Sequence, residues 1–258
     1  MEGAGNDYIY VDAFRFPIDD PDRLSVRLSD RHFGIGADGL VLIGPSDAAD
    51  FRMRMFNADG SEGRMCGNAA RCIGKYVWDK GLTSKRSFTL ETLSGIKQIS
   101  VFPGADGTIE SATVGMGGFK IVARDLELEA GGRKFRGTWV DVGNPHFVIP
   151  VPDADAVELE HWGPLLESHP VFPGRINVEF VSVKAPGSLR MRVWERGSGI
   201  TLACGTGACA AAAAFAGGQC VFELECDGGT LEVAVDPSGD TILLKGPART
   251  AFEGTVEI

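Results

Sequence analysis

Two segments of the chain share one layout. The first is Asn57-Ala58-Asp59-Gly60-Ser61-Glu62-Gly63-Arg64-Met65-Cys66-Gly67-Asn68. The second is Glu195-Arg196-Gly197-Ser198-Gly199-Ile200-Thr201-Leu202-Ala203-Cys204-Gly205-Thr206. Each follows a strand-like run, crosses a polar loop, and enters a stretch of small residues that predicts a helix. Cys66 and Cys204 therefore fall at predicted helix N-termini. Unpaired backbone N–H groups and the positive end of the helix dipole stabilise anions there. The position predicts a thiol pKa below the free value of about 8.5. The same donors suit a carboxylate, and Gly67 and Gly205 let such a ligand come close to the backbone. Two thiols of this kind point to acid/base chemistry at a carbon acid. One thiolate removes a proton from one face and the opposite thiol supplies one to the other, which inverts the centre.

Other readings of these cysteines fit less well. Cys66-x5-Cys72 and Cys204-x4-Cys209 are poor matches to zinc-ligand spacing, so no metal is expected. A Cys66–Cys204 disulfide would be oxidative damage rather than the activity. Cys72, Cys209, Cys220 and Cys226 read as small buried hydrophobes. No lysine motif for a pyridoxal Schiff base stands out. Gly34-Ile35-Gly36-Ala37-Asp38-Gly39 has the glycine spacing of a dinucleotide loop, but a strand follows where a helix is required. Gly205-Thr206-Gly207-Ala208-Cys209-Ala210 does open a helix, yet a long loop precedes it and its first-half counterpart lacks the pattern.

The elements that must carry these residues are mostly strands. Phe51–Met55 and Leu189–Val193 alternate apolar and charged residues at period two. Further strand candidates are Tyr8–Asp12, Leu40–Ile43, Phe88–Glu91, Lys97–Phe102, Thr113–Met116, Thr138–Val142, Phe147–Val151, Val178–Val183, Phe222–Cys226, Leu231–Val235 and Ile242–Lys245. Asp22–Arg31 and Ala156–Ser168 predict amphipathic helices; Asn68–Lys80 and Thr206–Ala216 predict buried ones. The count implies an α+β fold rich in antiparallel sheet.

A shift of 138 residues aligns the chain with itself. Arg52-Met53-Arg54-Met55-Phe56 falls on Arg190-Met191-Arg192-Val193-Trp194, Cys66-Gly67-Asn68 on Cys204-Gly205-Thr206, and Gly5-Asn6-Asp7-Tyr8 on Gly143-Asn144-Pro145-His146. One offset serving distant landmarks implies duplication. It predicts two similar halves, 1–112 and 113–246, with a site between them.

Composition narrows the class. With 258 residues the chain can bury a large core without disulfides. A net charge of −10 disfavours nucleic acid or an anionic membrane as partner. No apolar run is long enough to span a bilayer, and the N-terminus lacks signal-peptide features. A cytoplasmic enzyme with reduced cysteines is the expectation. The 35 glycines exceed the usual share about twofold and predict many tight turns or close backbone approaches.

Taken together, the motifs resemble those of the diaminopimelate epimerase family. The matching segments are Gly3–Tyr8, Arg31–Gly39, Phe56–Glu62, Met65–Cys72, Gly143–His146, Arg175–Asn177, Glu195–Gly197 and Ala203–Gly207, spread over nearly the whole chain. The resemblance implies two pseudo-symmetric domains, each a mostly antiparallel sheet wrapped around a central helix, with residues 247–258 as a strand returning to the first. It implies an isomerase that interconverts LL- and meso-2,6-diaminopimelate without a cofactor, in lysine and peptidoglycan precursor synthesis. By the same resemblance Cys66 and Cys204 are the acid/base thiols. Backbone at Gly67-Asn68 and Gly205-Thr206 binds the reacting carboxylate. Asn6, Asn57, Asn144, Asn177, Glu195 and Arg196 hold the substrate's amino and carboxylate groups. His146 and Glu195 adjust the thiol pKa values. A guanidinium fork at Arg196 suits a distal carboxylate on chemical grounds as well.

The chain departs from the family in three places. Gly39 stands where some members have Gln, which removes a side-chain contact. A short strand that usually precedes the Gly-Asn-Asp motif is expected to lie outside this chain. Phe252 replaces a Tyr at the homodimer interface that the resemblance implies. Proline and hydroxyproline racemases resemble Cys-Gly-His where this chain has Cys66-Gly67-Asn68. Phenazine-type isomerases lack the thiol pair. A binding protein without turnover would not need both thiols.

Overall fold

The computed structural model describes residues 1–257. In chain order the elements are β1 (Glu2–Gly3), β2 (Asn6–Asp7), β3 (Ile9–Asp12), α1 (Pro21–Ser29), β4 (Gly39–Gly44), β5 (Phe51–Asn57), β6 (Glu62–Gly63), α2 (Gly67–Asp79), β7 (Ser87–Thr92), β8 (Gly95–Pro103) and β9 (Ile109–Gly117). They continue as β10 (Lys120–Ala130), β11 (Arg133–Asp141), β12 (Pro145–Pro150), α3 (Leu159–Glu167), β13 (Asn177–Ala185), β14 (Ser188–Glu195), β15 (Gly199–Thr201), α4 (Gly205–Phe215), β16 (Val221–Cys226), β17 (Gly229–Val235) and β18 (Ile242–Pro247).

The chain divides into two units. One holds Met1–Gly115 and the C-terminal stretch from Lys245; the other is Met116–Leu244. In the first, the strands run in the order β9-β8-β7-β5-β4-β3; in the second, β10-β11-β12-β13-β14-β16-β17. Most neighbours are antiparallel. The exceptions are β3–β4 and β5–β7 in the first unit and β12–β13 and β14–β16 in the second.

The 138-residue offset read from the sequence runs through the pairing register. Ile9 opposes Leu40 as Phe147 opposes Val178. Leu40 opposes Phe56 as Val178 opposes Trp194, and Phe56 opposes Glu62 as Trp194 opposes Ile200. Helices α1 and α3 differ by 138 at both ends. The α+β class with two pseudo-symmetric, sheet-based halves thus holds.

Each unit buries one helix that starts with a Cys-Gly step. In α2, Ala69, Ala70, Cys72, Ile73 and Val77 are fully buried. In α4, the run Ala208–Ala213 is buried, and the helix packs on β11, β12, β13, β14, β16 and β17. Alanines suit this position. They favour helix and keep its radius small enough for strands on every side.

In the second unit, α3 inserts Leu159 and Leu166 into a cluster with Phe135, Phe147, Phe172 and Phe180. Each such side chain contributes about 1.5–3 kcal/mol of burial. A Cβ at Gly163 of α3 would lie 2.3 Å from Trp194 Cδ2, so glycine there sets how closely α3 meets the end of β14.

Several expectations are corrected. The stretch from Lys245 lies with the first unit, but residues 250–257 form no strand there. The last strand is β18, and beyond it the chain makes a single bridge, Glu2 to Arg249. Thr250 to Glu257 is exposed and has no ladder partner, although Lys80 to Glu253 and Arg27 to the Glu257 carbonyl hold it; Ile258 lies outside the described residues. The β10–β11 hairpin is far longer than the predicted Thr138–Val142. Charged residues interrupt the alternation of β10, and register shifts on either side of Ala123, with Asp125 at φ 51°, break its period. Helix α3 begins at Leu159 because 154–158 form turns first. Cys220 is exposed, unlike buried Cys72, Cys209 and Cys226. It lies in the turn before β16 rather than in a core-facing position.

Candidate active site

In the first unit, extended backbone at Cys66 leads directly into α2. The half-buried Cys66 thiol points to Asn6 Oδ1 at 3.5 Å. The Asn6 amide in turn donates to Asp38 Oδ2 at 2.7 Å. Burial and the neighbouring Asp7 push the Asp38 carboxyl up, against hydrogen bonds that pull it down. Asn68 is buried and accepts from the guanidinium of Arg71 at 2.8 Å; Arg71 also donates to the Pro247 carbonyl. Asn57 at the end of β5 donates to Ser61 Oγ at 2.9 Å. The first unit thus sets Asn6 of β2 against Cys66, with Gly67 and Asn68 in the first turn of α2, while Asn57 at the end of β5 is bonded to Ser61.

The second unit repeats this plan with different partners. Cys204 caps α4, and its sulfur accepts the Gly207 N–H at 3.3 Å. Thr206 Oγ1 lies 3.5 Å from the same sulfur. Asn144 donates from Nδ2 to Thr206 Oγ1 at 3.3 Å, and its Oδ1 faces His146 Nε2 at 3.1 Å. Glu195, at the end of β14, accepts from the Thr201 hydroxyl at 2.5 Å. Asn177 uses both ends of its amide on backbone, donating to the Pro145 carbonyl and accepting the Arg196 N–H at 2.9 Å. The exposed Arg196 guanidinium reaches the Gly174 carbonyl at 3.0 Å. Gly205 is buried at the first turn of α4.

The predicted lowering of the Cys204 pKa does not hold. Burial pushes this thiol well above its ordinary value, and the charge of Glu195 adds to the rise. The Thr206 hydroxyl and the Gly207 N–H act the other way but do not prevail. Desolvation of the thiolate outweighs the helix terminus because the sulfur is sealed from water.

Two acidic residues escaped the sequence reading. Glu179, in an apolar run of β13, is fully buried, with Oε1 2.6 Å from His146 Nδ1. Glu167, at the end of α3, is buried and accepts from Trp194 Nε1 at 2.7 Å, from Gly197 N at 2.9 Å and from Arg175. The one available signal was an acid where the alternating or apolar pattern calls for a hydrophobe. A Cβ at Gly39 would lie 2.0 Å from the Phe56 carbonyl, so no side chain fits on this backbone. Phe252 is exposed, at 66%. Among the described residues, no group of three or more His, Cys, Asp or Glu is placed to hold a metal ion.

What such an arrangement can do is proton transfer at two thiols beside backbone N–H donors. The family model described as diaminopimelate epimerase matches residues 1–122 and 138–251. A diaminopimelate epimerase of Parabacteroides distasonis is 52% identical over all of this chain and 97% of its own. One of Bacteroides thetaiotaomicron is 49% identical over all of this chain and 96% of its own. Among solved structures, a Bacillus anthracis phenazine biosynthesis protein aligns with a TM-score of 0.68 at 20% identity, over 96% of this chain and 92% of its own. A hydroxyproline epimerase of Agrobacterium vitis aligns with a TM-score of 0.63 at 17% identity, over 90% and 83%. At these identities the two structures speak to the fold alone.

Proposed function

The chain belongs to the diaminopimelate epimerase family, and on that premise we propose that it interconverts LL- and meso-2,6-diaminopimelate with Cys66 and Cys204 as its two acid/base groups. The observation that carries this reading is the repeated cap. Each unit starts its buried helix at a Cys-Gly step on the same 138-residue register.

In one direction, one cysteine thiolate takes the α-proton and becomes a thiol. The other thiol gives its proton to the carbon from the opposite side and becomes a thiolate. One proton leaves the carbon and one arrives, so the reaction is balanced without a cofactor, and the reverse direction exchanges the roles. Charge that develops as the α-carbon loses its proton spreads into the adjacent carboxylate. Backbone N–H groups at Gly67-Asn68 and Gly205-Thr206 are suited to hold that carboxylate. Asn6, Asn57, Asn144, Asn177 and Glu195 hold the remaining polar groups, with Arg196 on the distal carboxylate. His146 and Glu195 adjust the thiols. A high thiol pKa at Cys204 suits the acid role in the substrate-free protein, since the proton to be delivered is in place.

The reading extends to lysine and peptidoglycan precursor synthesis, to a cytoplasmic location and to a homodimer that uses the exposed Phe252. No helix among the described residues is long and apolar enough to cross a membrane.

The test is proton NMR of the reduced protein with LL-diaminopimelate in D2O. Loss of the α-proton signal with appearance of the meso isomer is expected. Cys66→Ala and Cys204→Ala should each abolish epimerisation and keep the fold. Full activity in either variant, or no exchange by the reduced wild-type protein, refutes the proposal.

A further inference from the structure

Glu179 and His146 form a charged-type pair that water does not reach. Both side chains are fully buried, and Glu179 Oε1 lies 2.6 Å from His146 Nδ1. The other carboxyl oxygen, Oε2, is buried without a hydrogen-bond partner. Pairs of this kind are costly to build and need a reason.

The fold does not supply that reason. At the 138-residue offset, the first unit has Tyr8 where the second has His146 and Val41 where it has Glu179. Val41 is fully buried in the equivalent strand, so the architecture accepts a hydrophobe there. The difference extends to the helix that meets this strand. Ala69 of α2 corresponds to Gly207 of α4, and a Cβ at Gly207 would lie 2.7 Å from Glu179 Oε1. Glycine thus opens room for the carboxyl beside the helix terminus that Cys204 caps.

The orientation of Asn144 sets a proton count for the pair. Both ring nitrogens of His146 face oxygen atoms, Nε2 toward Asn144 Oδ1 and Nδ1 toward Glu179 Oε1. With the Asn144 amide oriented this way, Oδ1 toward the ring, Nε2 carries a proton and a second sits between Nδ1 and Oε1. Whether that second proton is drawn on nitrogen or oxygen, the pair as a whole has no net charge. Burial pushes the Glu179 carboxyl up, which helps retain the shared proton. With Nε2–H donating to Asn144 Oδ1, Asn144 Nδ2 donates to Thr206 Oγ1, and the Thr206 O–H is left to donate to Cys204 Sγ.

We propose that Glu179 is a positioning residue for the Cys204 thiol: with His146 it retains a shared proton, and that proton turns the donors of Asn144 and Thr206 toward the sulfur. The assignment rests on the epimerase reading and adds to it an element present in one half only. When Cys204 has given its proton to the substrate carbon, its thiolate then meets the Thr206 O–H and the Gly207 N–H. Three ionisable groups surround Glu179: His146 from β12, Glu195 from β14 and Cys204 from the cap of α4. Glu167 of α3 is turned to Trp194 and Gly197 instead.

Glu179→Val and Glu179→Gln test this. The pH profile of iodoacetamide alkylation is followed for each cysteine by peptide mass spectrometry, together with kcat and KM. Glu179→Val should raise the Cys204 midpoint by about one pH unit or more and leave the Cys66 profile in place. It should lower kcat about tenfold or more, with KM within about twofold. Glu179→Gln, whose amide can donate to Nδ1, should restore most of kcat. An unmoved or lowered Cys204 midpoint overturns the proposal, as does an equal shift at Cys66 and Cys204. If Glu179→Val does not fold, imidazole proton NMR of the wild type and Glu179→Gln decides. A downfield His146 proton that moves upfield in Glu179→Gln supports the proposal; its absence from the wild type, or an unchanged position in the variant, overturns it. Alkylation and NMR need no substrate. A wild-type protein that fails to turn over diaminopimelate therefore refutes the proposed function while these readouts still decide the role of Glu179.

Discussion

Replacing Glu167 by leucine should loosen the loop that presents Arg196 and destabilise the second unit at the same time. Glu167 accepts the indole N–H of Trp194, the backbone N–H of Gly197 and the Arg175 guanidinium, while its own side chain is 4% exposed. Leucine fills a similar space but accepts nothing. The half-buried indole N–H of Trp194 loses its partner at about 1–3 kcal/mol, while water can meet the N–H of exposed Gly197. Arg175 is 56% exposed and turns to solvent at little cost. The total is about 1–3 kcal/mol, a drop in Tm of roughly 2–12 °C for a chain of this size. Urea titration followed by tryptophan fluorescence measures the first figure and a thermal scan the second. The functional effect should fall on KM. Arg196 is held through its N–H on Asn177 and its guanidinium on Gly174, and Gly197 loses its anchor. A rise in KM of about tenfold, with kcat changed less, corresponds to roughly 1.4 kcal/mol of lost ground-state binding. Glu167→Gln keeps one acceptor and should fall between the two. A Glu167→Leu protein with the wild-type urea midpoint and KM would refute this account of the loop.

Two further outcomes follow from the second unit. The raised Cys204 pKa means that the folded protein keeps this proton at pH values where an unfolded chain has lost it, so folding stability should decline as pH rises above the ordinary thiol range. Urea midpoints measured across alkaline pH check this, and Cys204→Ala should flatten the decline; an equally steep decline in that variant would count against it. Gly207→Ala should lower kcat about tenfold or more, because a Cβ 2.7 Å from Glu179 Oε1 forces the carboxyl away. Wild-type kinetics and an unshifted Cys204 alkylation profile would show that the carboxyl can move without consequence.

Local pattern carried much of the fold and the landmarks of the site. Period-two alternation marked β5 and β14, runs of small residues marked α2 and α4, and the repeated Cys-Gly step marked both helix caps. The 138-residue offset anticipated two similar halves and recurs in their pairing register, because duplicated segments keep the same turn lengths and therefore the same pairings. Where local signals were mixed, they failed. The period of β10 slips at Arg124-Asp125. The strand expected after Arg249 came from the family resemblance and not from a local pattern, and residues 250–257 have no ladder partner.

The electrostatics of the site depended on contacts between residues far apart in the chain. A helix N-terminus read from sequence argues for an acidic thiol at Cys204, but its pKa rises because the folded unit excludes water from the sulfur and brings the charge of Glu195 near it. Neither Glu167 nor Glu179 stands in a motif that announces a role. Each acquires one when α3 reaches the end of β14, or when β12 and β13 pair side by side and set His146 against a carboxyl 33 residues away. Propensity and periodicity act over a few residues and so survive in a one-dimensional reading. Desolvation and charge pairing depend on which distant atoms share a space closed to water, and that is decided when the sheets and helices pack.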